Sequence, residues 1–199
     1  MSRQDTRDRI VEAAAALFHE HGYHATGLSK IIAASRSGAG SFYHFFSSKE
    51  DLLAAILDRY RERLEAEIVA PARQAADPLE RAFGMLGFYR DFLVATDFRL
   101  GCPIGNLAGE LADSHPHVRE RIDELFSAWK QAVAGFLREA CATRPLTTDP
   151  DELAVLFISA MEGGVMQARV ARSLEPYETT VRLLRDYVAK LVPPQENPP

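Results

Sequence analysis

The chain has 199 residues, of which 47% are hydrophobic, and its formal net charge at pH 7 is −5. No apolar run approaches the roughly 18 residues that a membrane span requires, and the two cysteines, Cys102 and Cys141, match no zinc-ligand spacing. We therefore expect a cytoplasmic protein with reduced thiols, no membrane partner, no metal site and no cofactor.

The acidic charge is unevenly distributed along the chain. A net negative charge argues against nucleic-acid binding, because such binding relies on basic groups that release counterions from phosphates. The first 50 residues, however, contain six basic and five acidic residues, together with four of the six histidines. A weakly basic head on an acidic body remains compatible with specific DNA binding.

The first predicted helix runs from about Thr6 to His21, and Gly22 is expected to end it. Its apolar residues recur on one face, which should brace the segment that follows. These residues are Ile10, Ala13, Ala14, Leu17 and Phe18.

Residues 26–53 predict a helix-turn-helix. Thr26 can cap a helix with one apolar face, and a turn at 35–38 then leads to a second short helix. In that second helix, Phe42 and Phe46 are expected to point inward. The other side would present small and polar groups that suit a major groove, namely Ala39, Gly40, Ser41, Tyr43 and His44.

A fourth helix is predicted to start at a Ser48 cap, and Asp51 lies three residues further on, as in a weak capping box. Lys49 lies in its first turn. A helix N-terminus has unpaired amides and the positive end of the dipole, so we expect Lys49 to help hold a DNA phosphate. Such a contact positions a protein on DNA without reading sequence.

Five further helical patterns follow, and nothing alternates with the period of two that indicates strands. The sequence therefore predicts an all-α protein with a three-helix head on a larger helical body. The five patterns lie at about 78–96, 103–112, 117–142, 150–172 and 176–191.

The sequence of the head resembles the DNA-binding domain of the tetracycline-repressor (TetR) family over about residues 6–57. The resemblance is carried by GSFYHFF, by SSKEDLL, and by TRDRIVEAAAALFHEHGYHATGLS before them. It implies a helix-turn-helix DNA-binding domain at 1–48 and a helical effector-binding and dimerisation domain at 49–192. The proline-rich polar end, 193–199, is predicted to be a disordered tail.

The same resemblance implies a homodimeric, ligand-responsive transcriptional regulator, a repressor that a small molecule releases from palindromic double-stranded operator DNA. In that family the last two long helices pair with their copies. Ala39 stands where members often carry lysine, so the operator is not readable by analogy. The residues assigned to DNA are Thr26, Ser37, Gly38, Ala39, Gly40, Ser41, Tyr43, His44 and Lys49.

The effector would bind in the body, where aromatic and apolar residues can form walls and a few polar groups can orient a ligand. Asn106 and Gln167 are the candidate polar contacts. Each apolar candidate can equally be an ordinary core residue, and the sequence does not indicate the chemical class of the ligand. The candidate wall residues are Phe88, Tyr89, Phe92, Trp129, Phe157 and Met161.

Cys102 is a further candidate, because a helix predicted to begin at Pro103 would place it at the cap position. Unpaired amides and the dipole would then favour the thiolate. The segment GCPIGNLA also resembles one in TetR-type regulators that sense reactive electrophiles, such as unsaturated carbonyl compounds, through a cysteine. The alternative is that Cys102 is simply a small buried hydrophobe.

Two other functional classes stay open at this point. An enzyme could use Cys102 as nucleophile with His115 or His117 as base, although no orienting residue or oxyanion motif accompanies them. A helical small-molecule-binding or interaction module that has lost DNA affinity would also fit the acidic total and Ala39. The regulator is the function that we predict, and we do not expect an enzyme.

Overall fold

The computed structural model describes residues 3–144 and 146–191, and throughout these residues the regular secondary structure is helical. The all-α prediction is confirmed, whereas the predicted disordered tail, 193–199, lies outside the described residues. The helices are α1 (Arg3–His21), α2 (Leu28–Ala34), α3 (Ala39–Phe45), α4 (Lys49–Arg63), α5 (Ala70–Ala72), α6 (Pro78–Ala95), α7 (Pro103–Leu111), α8 (Pro116–Cys141), α9 (Pro150–Ala171) and α10 (Glu175–Lys190). A π-helical stretch, Leu64–Val69, joins α4 to α5.

Proline and aspartate set several of these helix starts. The first residue of α6, α7, α8 and α9 is a proline, whose fixed φ suits the first helical position and which has no N–H to leave unpaired. Asp77 and Asp149 cap α6 and α9 by accepting hydrogen bonds from the amides of Leu79 (2.8 Å) and Asp151 (2.7 Å). The helices from α6 onward begin within one residue of the predicted positions.

The described chain forms two compact units that do not follow its linear order. One unit contains residues up to Arg63 together with Pro103–Leu125, and the other contains Leu64–Cys102 together with the chain from Phe126 onward. The boundary predicted at 48/49 differs because α4 packs against α1 and stays with the head. α7 and the first ten residues of α8 also belong to the head unit.

In the second unit α9 packs against α10 and α6, and Gly164 lies at this contact. A Cβ built at Gly164 would lie 2.9 Å from Cδ2 of Tyr177, whereas one at Gly163 would meet nothing within 4 Å. The Tyr177 hydroxyl donates a 2.7 Å hydrogen bond to the carbonyl of Leu86 on α6. Close helix approach therefore explains Gly164 but not Gly163.

α9 is the one helix among the described residues with the length and apolar composition of a membrane span. Part of it is buried within its own unit, through residues that include Leu153, Phe157 and Met161. The core helix of a helical domain is buried in this way, and such a helix can have the same length and apolar composition as a membrane span.

Candidate functional site

The short helix α3 presents the surface that the sequence assigned to DNA. Tyr43 is 59% exposed, while Phe42 and Phe46 are buried beneath it, with their ring centroids 5.9 Å apart. Gly38 is the N-cap in an extended conformation. Of the other assigned residues, Ala39, Gly40 and His44 are exposed and Ser41 is half-buried, so α3 has an apolar underside and a small, polar outer side.

The turn before α3 contains one residue with left-handed backbone conformation and a hydrogen bond between two serine hydroxyls. Arg36 has a φ of 51°, and the hydroxyl oxygens of Ser35 and Ser37 lie 2.8 Å apart. The side chains of Lys30 and Arg36 are exposed and form no ion pair within the described chain. These two exposed cations were not among the predicted site residues, although the position of Lys30 opposite the apolar face of α2 could be read from the sequence.

Thr26 does not cap α2, which corrects the prediction made for it. The N-cap of α2 is Gly27, with no side-chain cap bond. Thr26 is fully buried, and its hydroxyl donates to the carbonyl oxygens of Gly22 (2.8 Å) and Leu17 (3.3 Å). The last carbonyls of a helix lack intrahelical partners, so the hydroxyl satisfies the end of α1 instead of the start of α2. A buried side chain in this position has no surface to offer DNA.

Lys49 is likewise engaged inside the head rather than directed at a phosphate. Its ammonium donates to the carbonyl oxygens of Tyr23 (2.9 Å) and Thr26 (3.0 Å), and it lies 4.0 Å from the centroid of the Tyr23 ring. Burial lowers the pKa of Lys49, and the charge of Glu110 opposes that change. Lys49 therefore stabilises the loop between α1 and α2. The predicted Ser48 cap is present: the Ser48 hydroxyl accepts a hydrogen bond from the amide of Asp51 at 3.0 Å.

Glu110, on α7, holds the same loop from the other side. Its carboxylate accepts hydrogen bonds from the backbone amides of Tyr23 (2.8 Å) and His24 (2.6 Å), directly after Gly22 at φ +86°. A Cβ at Gly22 would lie 3.0 Å from a carboxylate oxygen of Glu110. No sequence signal reveals this contact, because it joins backbone atoms to a side chain 87 residues away.

One hydrogen bond and one ion pair also tie the start of α8 to α4 within the head unit. His117 contacts Glu50, and Arg121 contacts Asp58. α3 therefore lies in a unit that is braced by α7 and α8, which come later in the chain.

The body brings part of the predicted effector site together. Phe88 and Phe92 stack at 6.1 Å, and the Tyr89 ring meets Trp129 edge-on at 5.7 Å. Phe157 instead packs against Phe83 at 4.9 Å, and Met161 is buried. Of the predicted polar contacts, Gln167 is exposed and Asn106, half-buried, belongs to the head unit.

Cys102 immediately precedes α7, as predicted, but its surroundings were not foreseen. It is only 2% exposed, and the Tyr89 hydroxyl donates to its sulfur at 3.5 Å. Burial raises the pKa of the Glu162 carboxyl, and a hydrogen bond from the Cys102 thiol opposes that rise. Burial also raises the pKa of Tyr89, with smaller contributions from Cys102 and Glu162.

Two polar atoms in this region are buried without a hydrogen-bond partner, Oε1 of Glu162 and Nε1 of Trp129. Glu162 was not among the predicted site residues, although a carboxylate within the apolar stretch of α9 is a visible signal in the sequence. The described residues hold no cluster of His, Cys, Asp and Glu that could bind a metal ion.

Comparisons with known proteins agree over almost the whole chain. The family model described as "Bacterial regulatory proteins, tetR family" matches residues 10–56, and "Tetracyclin repressor-like, C-terminal domain" matches residues 78–184. An uncharacterized HTH-type transcriptional regulator of Mycobacterium tuberculosis (strain H37Rv) is 34% identical over 96% of this chain and 97% of its own.

Two further similarities extend this result. The HTH-type transcriptional repressor DhaR of Mycobacterium sp. (strain GP1) is 28% identical over 99% of this chain and 98% of its own. The crystal structure of a TetR transcriptional regulator from Chloroflexus aurantiacus J-10-FL has a TM-score of 0.84 at 32% identity, covering 96% of this chain and 97% of that one.

Proposed function

Because the chain belongs to the TetR family of bacterial transcriptional regulators, we propose that it is a homodimeric repressor, released from a palindromic operator by a small-molecule effector or by electrophile modification of Cys102. The protein is a DNA-binding regulator with a ligand-binding C-terminal domain and is not an enzyme. The repressor role is supported by the similarity to the transcriptional repressor DhaR. As a bacterial DNA-binding protein it would act in the cytoplasm.

The observation that carries the DNA-binding part of the proposal is the exposed side of α3 over buried Phe42 and Phe46. We assign base contacts to Tyr43 and His44, and we assign phosphate contacts to the exposed cations Lys30 and Arg36. The small residues of α3 and its preceding turn would let the backbone approach the groove closely. They are Ser37, Gly38, Ala39, Gly40 and Ser41.

The homodimer is supported by an apolar face that the chain leaves exposed on α9 and α10. On these two helices Leu153, Phe157, Leu184 and Val188 are buried within the chain and are not available to a partner. The exposed face, which we call the α9/α10 face, consists of Val155, Leu156, Met166, Val170, Leu183 and Tyr187. These exposed apolar residues lie on two helices that pack against each other, and a larger exposed apolar surface marks a protein interface.

A dimer of this kind places two recognition helices in successive major grooves, with half-sites about 34 Å apart. An effector releases DNA by favouring an arrangement of the two heads that does not fit both half-sites, and such coupling typically amounts to about 1–3 kcal/mol.

The test is selection of bound duplexes from a random DNA pool, followed by fluorescence anisotropy on the selected duplex at two salt concentrations. Tyr43→Ala should weaken operator binding while the dimer mass stays unchanged, and Tyr43→Phe separates the hydroxyl from the ring. A palindromic duplex bound with strong salt dependence supports the proposal. A pool without enrichment contradicts it and favours an interaction module that has lost DNA binding.

A further inference from the structure

A cavity of about 390 Å³ lies between α6 and α10, within the second unit, and none of the predicted effector residues lines it. Its floor is apolar and is formed by Phe83 and Leu86 of α6 and by Tyr177 and Val181 of α10. The Tyr177 hydroxyl donates to the Leu86 carbonyl, which fixes the floor between the two helices. The volume is within the range of small-molecule sites, roughly 300–1,000 Å³.

Gly87 leaves this cavity open on the side of α6. It lies in the middle of the helix, where glycine is less favourable than alanine. Close helix packing does not explain it, because a Cβ built at Gly87 would meet nothing within 4 Å, whereas one at Gly164 would meet the Tyr177 ring. Since Gly87 lines the cavity, its missing side chain adds to the room for a ligand.

Two of the three arginines that line the cavity are engaged by acids. Arg185 donates two hydrogen bonds to Glu80, and its guanidinium lies 3.9 Å from the centroid of the Phe83 ring. Arg90 donates to Glu178 at 3.1 Å. These pairs hold the two guanidiniums at the rim, beside the apolar floor.

Arg182 is the third arginine, and its contact is weaker. Its guanidinium faces Asp186 at 3.6 Å, which is too long for a hydrogen bond, and its side chain is 63% exposed. A guanidinium has five N–H donors in a planar fork that matches a carboxylate. Arg182 can therefore receive an anionic group at the edge of the cavity, and a single such group is what one available guanidinium accommodates.

The cavity and the α9/α10 face use opposite sides of α10. Val181 lines the cavity, and Leu183, two residues further along, belongs to the α9/α10 face. Residues two apart on a helix do not point to the same side. A partner on the α9/α10 face therefore approaches α10 from the side away from the cavity.

We infer that the cavity between α6 and α10 is a binding site for a small aromatic monocarboxylate, whose ring lies over Phe83 and Tyr177 beside Gly87 and whose carboxylate pairs with Arg182. This site goes beyond the proposed function. A cationic ligand would be repelled by three guanidiniums, against two acids in the lining. A strongly polar ligand would leave its groups unpaired on the apolar floor.

Isothermal titration calorimetry on the full-length protein tests the ligand class with three probes of the same size. They are 3-phenylpropionate, the neutral 3-phenylpropionamide and the cationic 3-phenylpropylamine. The carboxylate should bind about tenfold more tightly than the amide, because hydrogen bonds from a guanidinium to a carboxylate are charge-assisted. Arg182→Gln should remove this preference by weakening only the carboxylate. Absence of saturable carboxylate binding at millimolar concentration overturns the inference, as does an amine that binds as tightly as the carboxylate.

Gly87→Leu tests the location of the site. Its Cβ meets no neighbour, so the variant should fold, and the rest of the side chain should occupy the cavity and abolish carboxylate binding. Gly135→Leu is the matched control, because a Cβ there also meets nothing within 4 Å and Gly135 does not line the cavity. It should bind the carboxylate as wild type does. Carboxylate binding that persists in Gly87→Leu overturns the inference.

Fluorescence anisotropy on operator DNA keeps this test separate from that of the proposed function. Gly87→Leu should bind the operator as wild type does, so its loss of carboxylate binding reports the cavity and not the fold. Wild type that binds the carboxylate but enriches no operator supports the site and contradicts the regulator. Wild type that binds an operator without binding the carboxylate leaves the regulator in place and overturns the site.

Discussion

Replacing Gly164 by alanine tests how closely α9 and α10 approach. The new methyl group would lie 2.9 Å from Cδ2 of Tyr177 and 3.6 Å from Cβ of Thr180. The Tyr177 ring is 1% exposed, and its hydroxyl is held by the Leu86 carbonyl. The ring therefore cannot move aside freely, and the two helices must separate or the hydrogen bond must distort.

The expected magnitude follows from a comparison with Gly135→Ala in the middle of α8, where a Cβ meets nothing within 4 Å. Both changes gain helix propensity, up to about 1 kcal/mol each. Only Gly164→Ala adds an overpacking cost, which is typically about 1–3 kcal/mol. The difference between the two variants therefore isolates the steric effect at about 2 kcal/mol, or a difference in Tm of about 4–8 °C for a chain of this size.

Thermal unfolding followed by circular dichroism at one fixed protein concentration measures this difference, since the stability of a dimer depends on concentration. Gly135→Ala should melt at or above the wild-type temperature, and Gly164→Ala several degrees below Gly135→Ala. Equal melting temperatures for the two variants would refute the close approach of α9 and α10 at Gly164.

Three further predictions concern the dimer, the head and the buried carboxyl. Val170 is 82% exposed on the α9/α10 face, and Val170→Glu should give a folded monomer that no longer binds the operator. Val94→Glu, at a 52% exposed site on α6, should stay dimeric. Light scattering measures the mass of each variant, and a dimeric Val170→Glu would contradict the interface. Glu110→Gln should weaken the two hydrogen bonds that the carboxylate accepts, at a cost of about 1–3 kcal/mol, and should speed hydrogen exchange at the amides of Tyr23 and His24. Unchanged exchange at these amides would show that the contact is dispensable. Burial raises the pKa of Glu162, so ionisation of this carboxyl opposes folding. The Tm of Glu162→Gln should therefore rise relative to that of wild type as the pH increases above the ordinary carboxyl pKa of 4.5, and this advantage should disappear at lower pH. A difference in Tm that does not depend on pH would argue against burial of the Glu162 carboxyl.

The helix starts and the two faces of α3 were predictable because local chemistry determines them. Proline at a first helical position and aspartate before it act within a few residues, and the spacing of Phe42 and Phe46 sets which side of α3 is buried. The family resemblance placed these elements in a DNA-binding head, and the comparisons confirm the family.

The errors arose where one side chain had two possible partners. Thr26 could cap α2 or satisfy the end of α1, and Lys49 could face a phosphate or the loop carbonyls; in both cases the nearer backbone acceptors prevailed. Glu110 and Glu162 were missed because their partners are distant in sequence. Their positions depend on tertiary packing, which periodicity does not encode.

The discontinuous head unit has a consequence for engineering hybrid regulators. A hybrid joined between residues 56 and 78, the gap between the two family models, would combine the loop at Tyr23 and His24 with a foreign α7 that need not carry Glu110. The partners of Glu50 and Asp58 would be exchanged in the same way. A transplant that moves 103–125 together with residues up to Arg63 keeps these contacts. The interchangeable cassette in this fold is therefore a three-dimensional unit, and recombination at a single crossover cannot transfer it.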